Sequence, residues 1–492
     1  MDNTQKYVVA PRLSVIGKTP SASRATALVS NFSMVSDSKK INENDPVVVE
    51  MTREKARESI KSHGEDVIIT RFVKYDLALA PIYPPHVRLH RSIQTLLEAS
   101  SSSKHIKFKV TGSNNEPVPE TKVVAFLDFR QRWGAEGTTN GQGEVTLEIP
   151  SGTIPNTFEA TYVYAPHSYW SVRKVGLAVT DQQIQLTQLP ETSQDEWWSE
   201  IINVPEAHNN GNLGKDVKVA IVDTGVGPHR DLNVIKGQNF TTDGTGTDYK
   251  DVEGHGSHVA GIIAANGKLH GIAPDAQIHA ARVFPKQDPS SEDHGASNAD
   301  IAAAIQYAID QWQCDVLNLS LGGQYDPLTE DRINYATARG ALCVAAAGNS
   351  AGPVEFPGAL DNSFCVAAVG QSGRYPQGTV HQEAEPESRG LFGKDNLFAA
   401  SFSCRGPQVD ICAPGVSVIS TVPVDKYAAL DGTSMAAPVV SGLAALVIGR
   451  DSQIRISPKN GQKINLTRSR IASLLEDIHL PTEIEGSGFT FT

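Results

Sequence analysis

Met435 to Ile448, Met-Ala-Ala-Pro-Val-Val-Ser-Gly-Leu-Ala-Ala-Leu-Val-Ile, is apolar or small at every position. A helix built from it has no polar face to offer water, so it must run through a core and be covered on all sides. No uncharged apolar run in the chain reaches the roughly 18 residues that a membrane span needs. The 492 residues leave room for two to four domains around that helix.

Asp431-Gly432-Thr433-Ser434 leads directly into the apolar run. A serine in the first turn presents its Oγ beside free backbone N–H groups whose dipoles favour negative charge; an ordinary N-cap is its other use. Pro438 is tolerable so near a helix start. Two further junctions have the same character. Val217 to Val222 is a β-branched run that reads as a strand of a covered parallel sheet. Asp223-Thr224-Gly225 ends it, which puts the carboxylate at the strand's C-terminal edge, where open α/β sheets form ligand clefts. His255, between Gly254 and Gly256, opens the small, apolar helix Ser257 to Ala265. His255 and His258 could be weighed as a metal pair, but the Glu and the i,i+4 spacing of H-E-x-x-H are missing. His258 reads instead as a hydrogen-bonded core histidine. A fourth junction, the strand-like Ala341 to Ala347, runs into Gly348-Asn349-Ser350 and puts an amide at another strand end. Asn349 and the Ser434 backbone N–H are candidate donors for the oxyanion of a tetrahedral intermediate.

Acid, base and nucleophile in the order Asp-His-Ser is one of three chain orders in which the serine triad recurs on unrelated folds. Among 14 histidines an ordered trio arises by chance, so the weight rests on the local contexts. Asp223-Thr224-Gly225, His255-Gly256-Ser257-His258-Val259-Ala260-Gly261, Ser320-Leu321-Gly322-Gly323, Ala346-Ala347-Gly348-Asn349 and Gly432-Thr433-Ser434-Met435-Ala436-Ala437-Pro438 together resemble the subtilisin-like serine proteases, over residues 196 to 480. The resemblance implies an α/β, doubly wound domain with a mostly parallel sheet that hydrolyses peptide bonds through an acyl-enzyme. His255 would take the Ser434 proton, Asp223 would orient the imidazole, and Asn349 would bind the oxyanion. Ser320, Leu321 and Gly322 on one side and Ala347 and Gly348 on the other would pair with substrate backbone as an added strand. No cofactor is needed for this chemistry, although relatives bind calcium structurally, and Asp243, Asp248 and Asp251 form a carboxylate-rich loop able to supply oxygen ligands.

By the same resemblance Glu355, before Phe356-Pro357-Gly358, falls at the primary specificity pocket and would favour Lys or Arg before the scissile bond. Asp251 and Glu253 fall at the next subsite and would push the same way; solvated loop acids are the plainer reading of all three. Ser257 stands where the family usually has Thr, and Gln371 to Phe398 reads as a polar surface insertion.

The N-terminal part divides by composition. Residues 1–45 form a polar arm, in which Lys6 to Pro11 is a candidate edge strand. Residues 46–100 alternate strand and helix as a small α/β unit that resembles the inhibitory prodomains of subtilisin-like proteases. Residues 104–184 alternate apolar and polar positions between Gly, Asn and Pro turns, which indicates an antiparallel β-sandwich similar to transthyretin-like modules and suited to holding a partner protein. Residues 185–195 form an acidic linker, the expected place of cutting in a zymogen, and residues 196–492 are the protease domain.

The formal net charge of -12, with no block of Lys or Arg, argues against nucleic acid or an anionic membrane and leaves protein or peptide substrates as partners. Five cysteines without C-x-x-C spacing, four in apolar stretches, read as small buried hydrophobes, which suits a reducing cytoplasm, as does the lack of a signal-peptide-like start. A catalytically silent scaffold is the second reading, opposed by the intact triad and Asn349. An esterase is the third, opposed by the absence of a G-x-S-x-G elbow.

Overall fold

The computed structural model describes residues 4–13, 33–34, 42, 45–79, 103–150, 155–190, 196–286 and 295–488. The polar arm is the first departure from expectation. Strand β1 (Gln5–Pro11) is no edge strand, because it pairs antiparallel with both β2 (Val47–Met51) and β3 (Val67–Arg71). Its two faces explain the position. Tyr7 and Val9 pack with Val47, Val49, Met51 and Ile69 beneath helix α1 (Arg53–His63), while Val8, Ala10, Val48 and Ile68 face Ala299, Ala302 and Leu328 further along the chain. Burial on both faces requires an interior strand without alternation. Helix α1 starts where Thr52 Oγ1 accepts the Lys55 N–H at 3.2 Å. After β3 the chain continues as the short strand β4 (Lys74–Leu77).

Residues 103–185 build two packed sheets, one of four strands around Lys122–Asp128 and Ala160–Tyr164 and one of three around Ser103–Thr111. The last strand, Gln182–Gln185, runs parallel to Ser103–Thr111 rather than antiparallel. Phe108, Val123, Leu147 and Phe158 fill the space between the sheets. The outer face of the four-stranded sheet carries Phe126, Tyr162 and Tyr164 and packs on Val380. The insertion Gln371 to Phe398 is therefore no loose surface loop: the same chain covers the sandwich's aromatic face.

The largest sheet runs in the order Val234–Asn239, Gln277–Arg282, β5 (Lys218–Asp223), β6 (Val316–Leu319), β8 (Leu342–Ala346), β9 (Ser363–Gln371), Leu397–Ala399, with Ile411–Pro414 also on β9. Every pairing is parallel except that of Leu397–Ala399. Alternate residues of β5 serve opposite faces. Val219 and Ile221 lie in one core with α2 (His255–Ala264) and α5 (Thr433–Arg450); Ala220 and Val222 lie in another with α3 (Asn298–Asp310). The short strand β7 (Leu321–Gly322) and helix α4 (Pro327–Ala338) follow β6. Among the described residues α5 alone is long and apolar enough to cross a membrane, and 89% of it is buried within the protein.

Pro438 lies well inside α5, and its missing N–H would leave the Ser434 carbonyl without a helical donor. The Ser320 hydroxyl supplies one at 2.9 Å.

Candidate active site

The structure brings Asp223 to His255, and Asn349 to Thr433, the residue before Ser434. Asp223 ends β5, and its Oδ1 accepts from His255 Nδ1 and from the Thr224 N–H, each at 2.7 Å. His255 begins α2 after Gly254, whose φ of 107° favours glycine. A side chain on Gly256 would strike the Gly225 carbonyl oxygen, so only glycine lets the helix come this close to Asp223. Burial by itself would lower the His255 pKa, but the charge and hydrogen bond of Asp223, helped by Glu253 and Asp251, raise it above its ordinary value. Ser434 is fully buried in the first turn of α5. Its hydroxyl donates to the Ser320 carbonyl at 3.0 Å rather than to His255, whose Nε2 is buried without a partner.

Asn349 is oriented by its neighbour in sequence to Ser434. Its Oδ1 accepts from the Thr433 N–H and from Thr433 Oγ1, both at 2.9 Å, and Thr433 Oγ1 in turn accepts the Gly348 N–H at 3.1 Å. The amide nitrogen is thereby left as a buried donor with nothing to bond. A buried donor held unpaired is the arrangement that stabilises a developing oxyanion. Asn349→Ala is expected to lower kcat about 100- to 1000-fold with little change in KM, the range found when the matching donor was removed from subtilisin; steady-state kinetics on a peptide ester checks it.

Strand β4 fills the cleft. Leu77 and Asp76 pair with Leu321 and Gly322 of β7, and Tyr75 and Lys74 pair with Ala296 and Ser297 on the other side. The Ala78 N–H donates to the Ser320 carbonyl at 3.3 Å, and the Ala78 carbonyl accepts the Ser434 N–H at 3.1 Å. One oxyanion donor thus already holds the carbonyl of the Ala78–Leu79 bond. The wall expected at Ala347 and Gly348 is otherwise engaged, since their carbonyls accept from the Glu355 and Cys404 N–H groups at 2.9 Å. Ala296 and Ser297 take that place. Sequence reasoning missed them because they bind through backbone atoms, which leave no side-chain signature.

The specificity acids separate. The Glu355 carboxylate accepts the Ser350 hydroxyl at 2.7 Å and lies where side chains on Gly322 or Gly348 would have to be, between the two sides of the cleft. The Asp251 carboxylate accepts from Thr224 Oγ1 and from the N–H groups of Glu253, Gly254 and Ser257, fastening the start of α2 to the end of β5. Glu253 is exposed. His258 Nε2 lies 3.1 and 3.0 Å from the Val418 and Ala428 carbonyls, and burial lowers its pKa to about 3. It is a core histidine, as expected.

The calcium loop does not assemble. Asp243 pairs with Arg282 and Thr241, Asp248 accepts from Thr245, and Asp251 is taken as above. These carboxylates do not converge, and the described residues contain no cluster of three His, Cys, Asp or Glu able to hold a metal ion. The linker in which a cut was expected is described only in part. Its described part is held to the sandwich through Trp170 N–H to Thr187 and Leu189 N–H to Ser168, while residues 191–195 lie outside the described residues.

Residues 214–476 match the model of the Subtilase family. Over 260 residues the chain is 39% identical to M-protease of Shouchella clausii, covering 51% of this chain and 59% of that protein. It is also 39% identical to Subtilisin Savinase of Lederbergia lenta, covering 51% of this chain and 83% of that protein. The Major intracellular serine protease of Bacillus subtilis is 33% identical over 56% of this chain and 80% of its own length. This chain spans less than two thirds of M-protease, and the matched region begins after the sandwich. The chain belongs to the subtilase family and carries a subtilisin-like serine protease domain.

Proposed function

We propose that this protein is a serine endopeptidase held inactive by its own residues 74–79. The observation that carries the reading is the Ala78 carbonyl on the Ser434 N–H at 3.1 Å, within a strand paired on both sides. Rotation of the Ser434 hydroxyl from the Ser320 carbonyl to His255 Nε2 readies it for attack on a substrate carbonyl. The proton passes to His255, the oxyanion is met by Asn349 Nδ2 and the Ser434 N–H, and His255 then protonates the leaving amine. Water attacks the acyl-enzyme by the same path in reverse. We read the catalytic sheet, covered on both faces, as doubly wound. A reducing compartment fits the five free, buried cysteines.

Tyr75 is the segment's anchor. It is fully buried, 6.0 Å from the Phe356 ring centre, in the core that includes Leu321. Truncating a buried aromatic costs about 3–5 kcal/mol, so Tyr75→Ala is expected to raise peptidase activity of the full chain at least about 100-fold. Initial rates on casein test this, and an unchanged rate contradicts self-inhibition.

Glu355 supports a preference for Lys or Arg before the scissile bond, because a cationic side chain entering between Gly322 and Gly348 meets its carboxylate. Ala78 offers no such cation, which suits an occupant that blocks the cleft. A charge-assisted contact of about 1.5–3 kcal/mol predicts a preference of about 10- to 100-fold. Peptide-library profiling should show it in Tyr75→Ala, whose cleft is opened, and lose it in Tyr75→Ala combined with Glu355→Ala; indifference of both to Lys and Arg contradicts it.

A further inference from the structure

The insertion brings a second histidine–aspartate pair to the nucleophile loop. His381 Nδ1 donates to Asp431 Oδ1 at 2.7 Å, and both side chains are buried. Asp431 stands three residues before Ser434 and two before Thr433, the residue that orients Asn349. The same carboxylate oxygen accepts the Ser417 N–H at 2.6 Å, and the Gly432 N–H donates to the Gly415 carbonyl at 2.8 Å. The start of the loop is thereby fixed to the segment after Ile411–Pro414.

His381 is itself held by the sandwich. Its ring meets Trp170 edge-on at 5.4 Å and Tyr375 at 5.8 Å. Around it, Val380 N–H donates to the Ser171 carbonyl at 3.1 Å, Val172 bridges to Thr379, and Glu383 joins Arg173 at 2.8 Å and the Tyr162 hydroxyl at 2.6 Å. On the other flank Ser168 N–H donates to the Tyr427 carbonyl at 2.8 Å. A contiguous path thus runs from the sandwich through Trp170, His381 and Asp431 to Thr433, Asn349 and Ser434.

We propose that His381 is a positioning residue for Ser434 and Asn349, and that the sandwich acts on catalysis by holding it. This rests on the protease reading. Without the Nδ1 donor, the buried Asp431 carboxylate loses its side-chain partner and keeps the Ser417 N–H, an under-bonded arrangement relieved by movement of the loop toward water. A shift of about 1 Å in reacting groups is enough to lower turnover about 100-fold.

The test compares full-length variants, each also carrying Tyr75→Ala to open the cleft, on a peptide ester with active sites counted by a fluorophosphonate. His381→Phe keeps a ring for Trp170 and Tyr375 but no donor; it is expected to lower kcat about 30- to 100-fold with KM within about twofold. His381→Asn restores a donor near the Nδ1 position and is expected to recover kcat to within about threefold of the Tyr75→Ala parent. Trp170→Ala leaves the pair's atoms in place and is expected to lower kcat about fivefold, which keeps the test open should His381→Phe not fold. Equal loss in His381→Phe and His381→Asn, parental kcat in His381→Phe or Trp170→Ala, or a change confined to KM overturns the proposal. Failure of the protease reading shows separately, as absence of turnover in the parent.

Discussion

Ser434→Ala is expected to reduce kcat for peptide hydrolysis about a million-fold, with the fold and substrate affinity kept. The size follows from the way the site works as a unit. Without Oγ no acyl-enzyme forms, and His255 has no proton to accept; removal of either the serine or the histidine of subtilisin cost about as much as removal of the whole triad. Rate enhancement of about 1000-fold over water remains, from Asn349 Nδ2 and the Ser434 N–H, both of which survive the substitution. Ser434 is wholly buried, and its hydroxyl bonds only the Ser320 carbonyl, so alanine fits the space without a new clash. Single-turnover kinetics and a thermal melt separate loss of chemistry from loss of structure. A fall of less than about 100-fold in a folded variant means that another group is the nucleophile.

Asp223→Asn has the next largest expected effect, about 10⁴-fold in kcat at neutral pH, the size measured for the same exchange in another serine protease triad. The carboxylate accepts from His255 Nδ1 at 2.7 Å and so leaves Nε2 free to take the Ser434 proton. An amide nitrogen in the same place donates to Nδ1 and moves the imidazole proton to Nε2, the wrong atom for a base. The pH profile carries a second signature. His255 acts only when neutral, and its pKa lies above the ordinary value because Asp223 outweighs the opposing burial. The wild-type kcat/KM therefore falls on the acid side through a pKa above about 6.5. In Asp223→Asn burial is left to dominate, and the acid limb moves to lower pH. An unmoved limb assigns it to another group.

The triad and Asn349 were readable because each side chain stands at the end of an apolar run whose strand or helix fixes where it points. Val217 to Val222 had to be a buried strand, so Asp223 had to be at its edge; the all-apolar α5 had to be interior, so Ser434 had to open it. Glu355 was placed by resemblance alone; that its carboxylate lies where side chains on Gly322 or Gly348 would have to be is visible only in the structure. Contacts made through backbone were not readable. Lys74-Tyr75-Asp76-Leu77 has no pattern that distinguishes a cleft strand from a loop, and Ala296 and Ser297 carry no functional group that announces their partner. Strand β1 was misjudged because its neighbours Val48 and Thr70 are distant in sequence and local composition around it is polar. The insertion lies at the surface as its charge suggested, but Glu383 and Glu385 pair with Arg173, Tyr162 and Tyr375, and Val380, His381 and Ala384 are buried, which charge alone did not reveal.

The occupied cleft joins these levels. The N-terminal sheet is held on α3 and α4 by Val8, Ala10 and Ile68, and by the Pro11 and Arg71 carbonyls, which accept from Arg332 and Asn298 at 3.0 and 2.9 Å. That docking delivers β4 in register between Ala296 and Leu321, and the register places the Ala78 carbonyl on Ser434. The measurement that tests this account most directly is labelling by a fluorophosphonate probe, with the modified residue located by peptide mass spectrometry. The account predicts slow labelling of Ser434 in the wild type, labelling at least about 100-fold faster in Tyr75→Ala, and none in Tyr75→Ala combined with Ser434→Ala. A folded Tyr75→Ala chain that takes no label, or takes it on a residue other than Ser434, contradicts it.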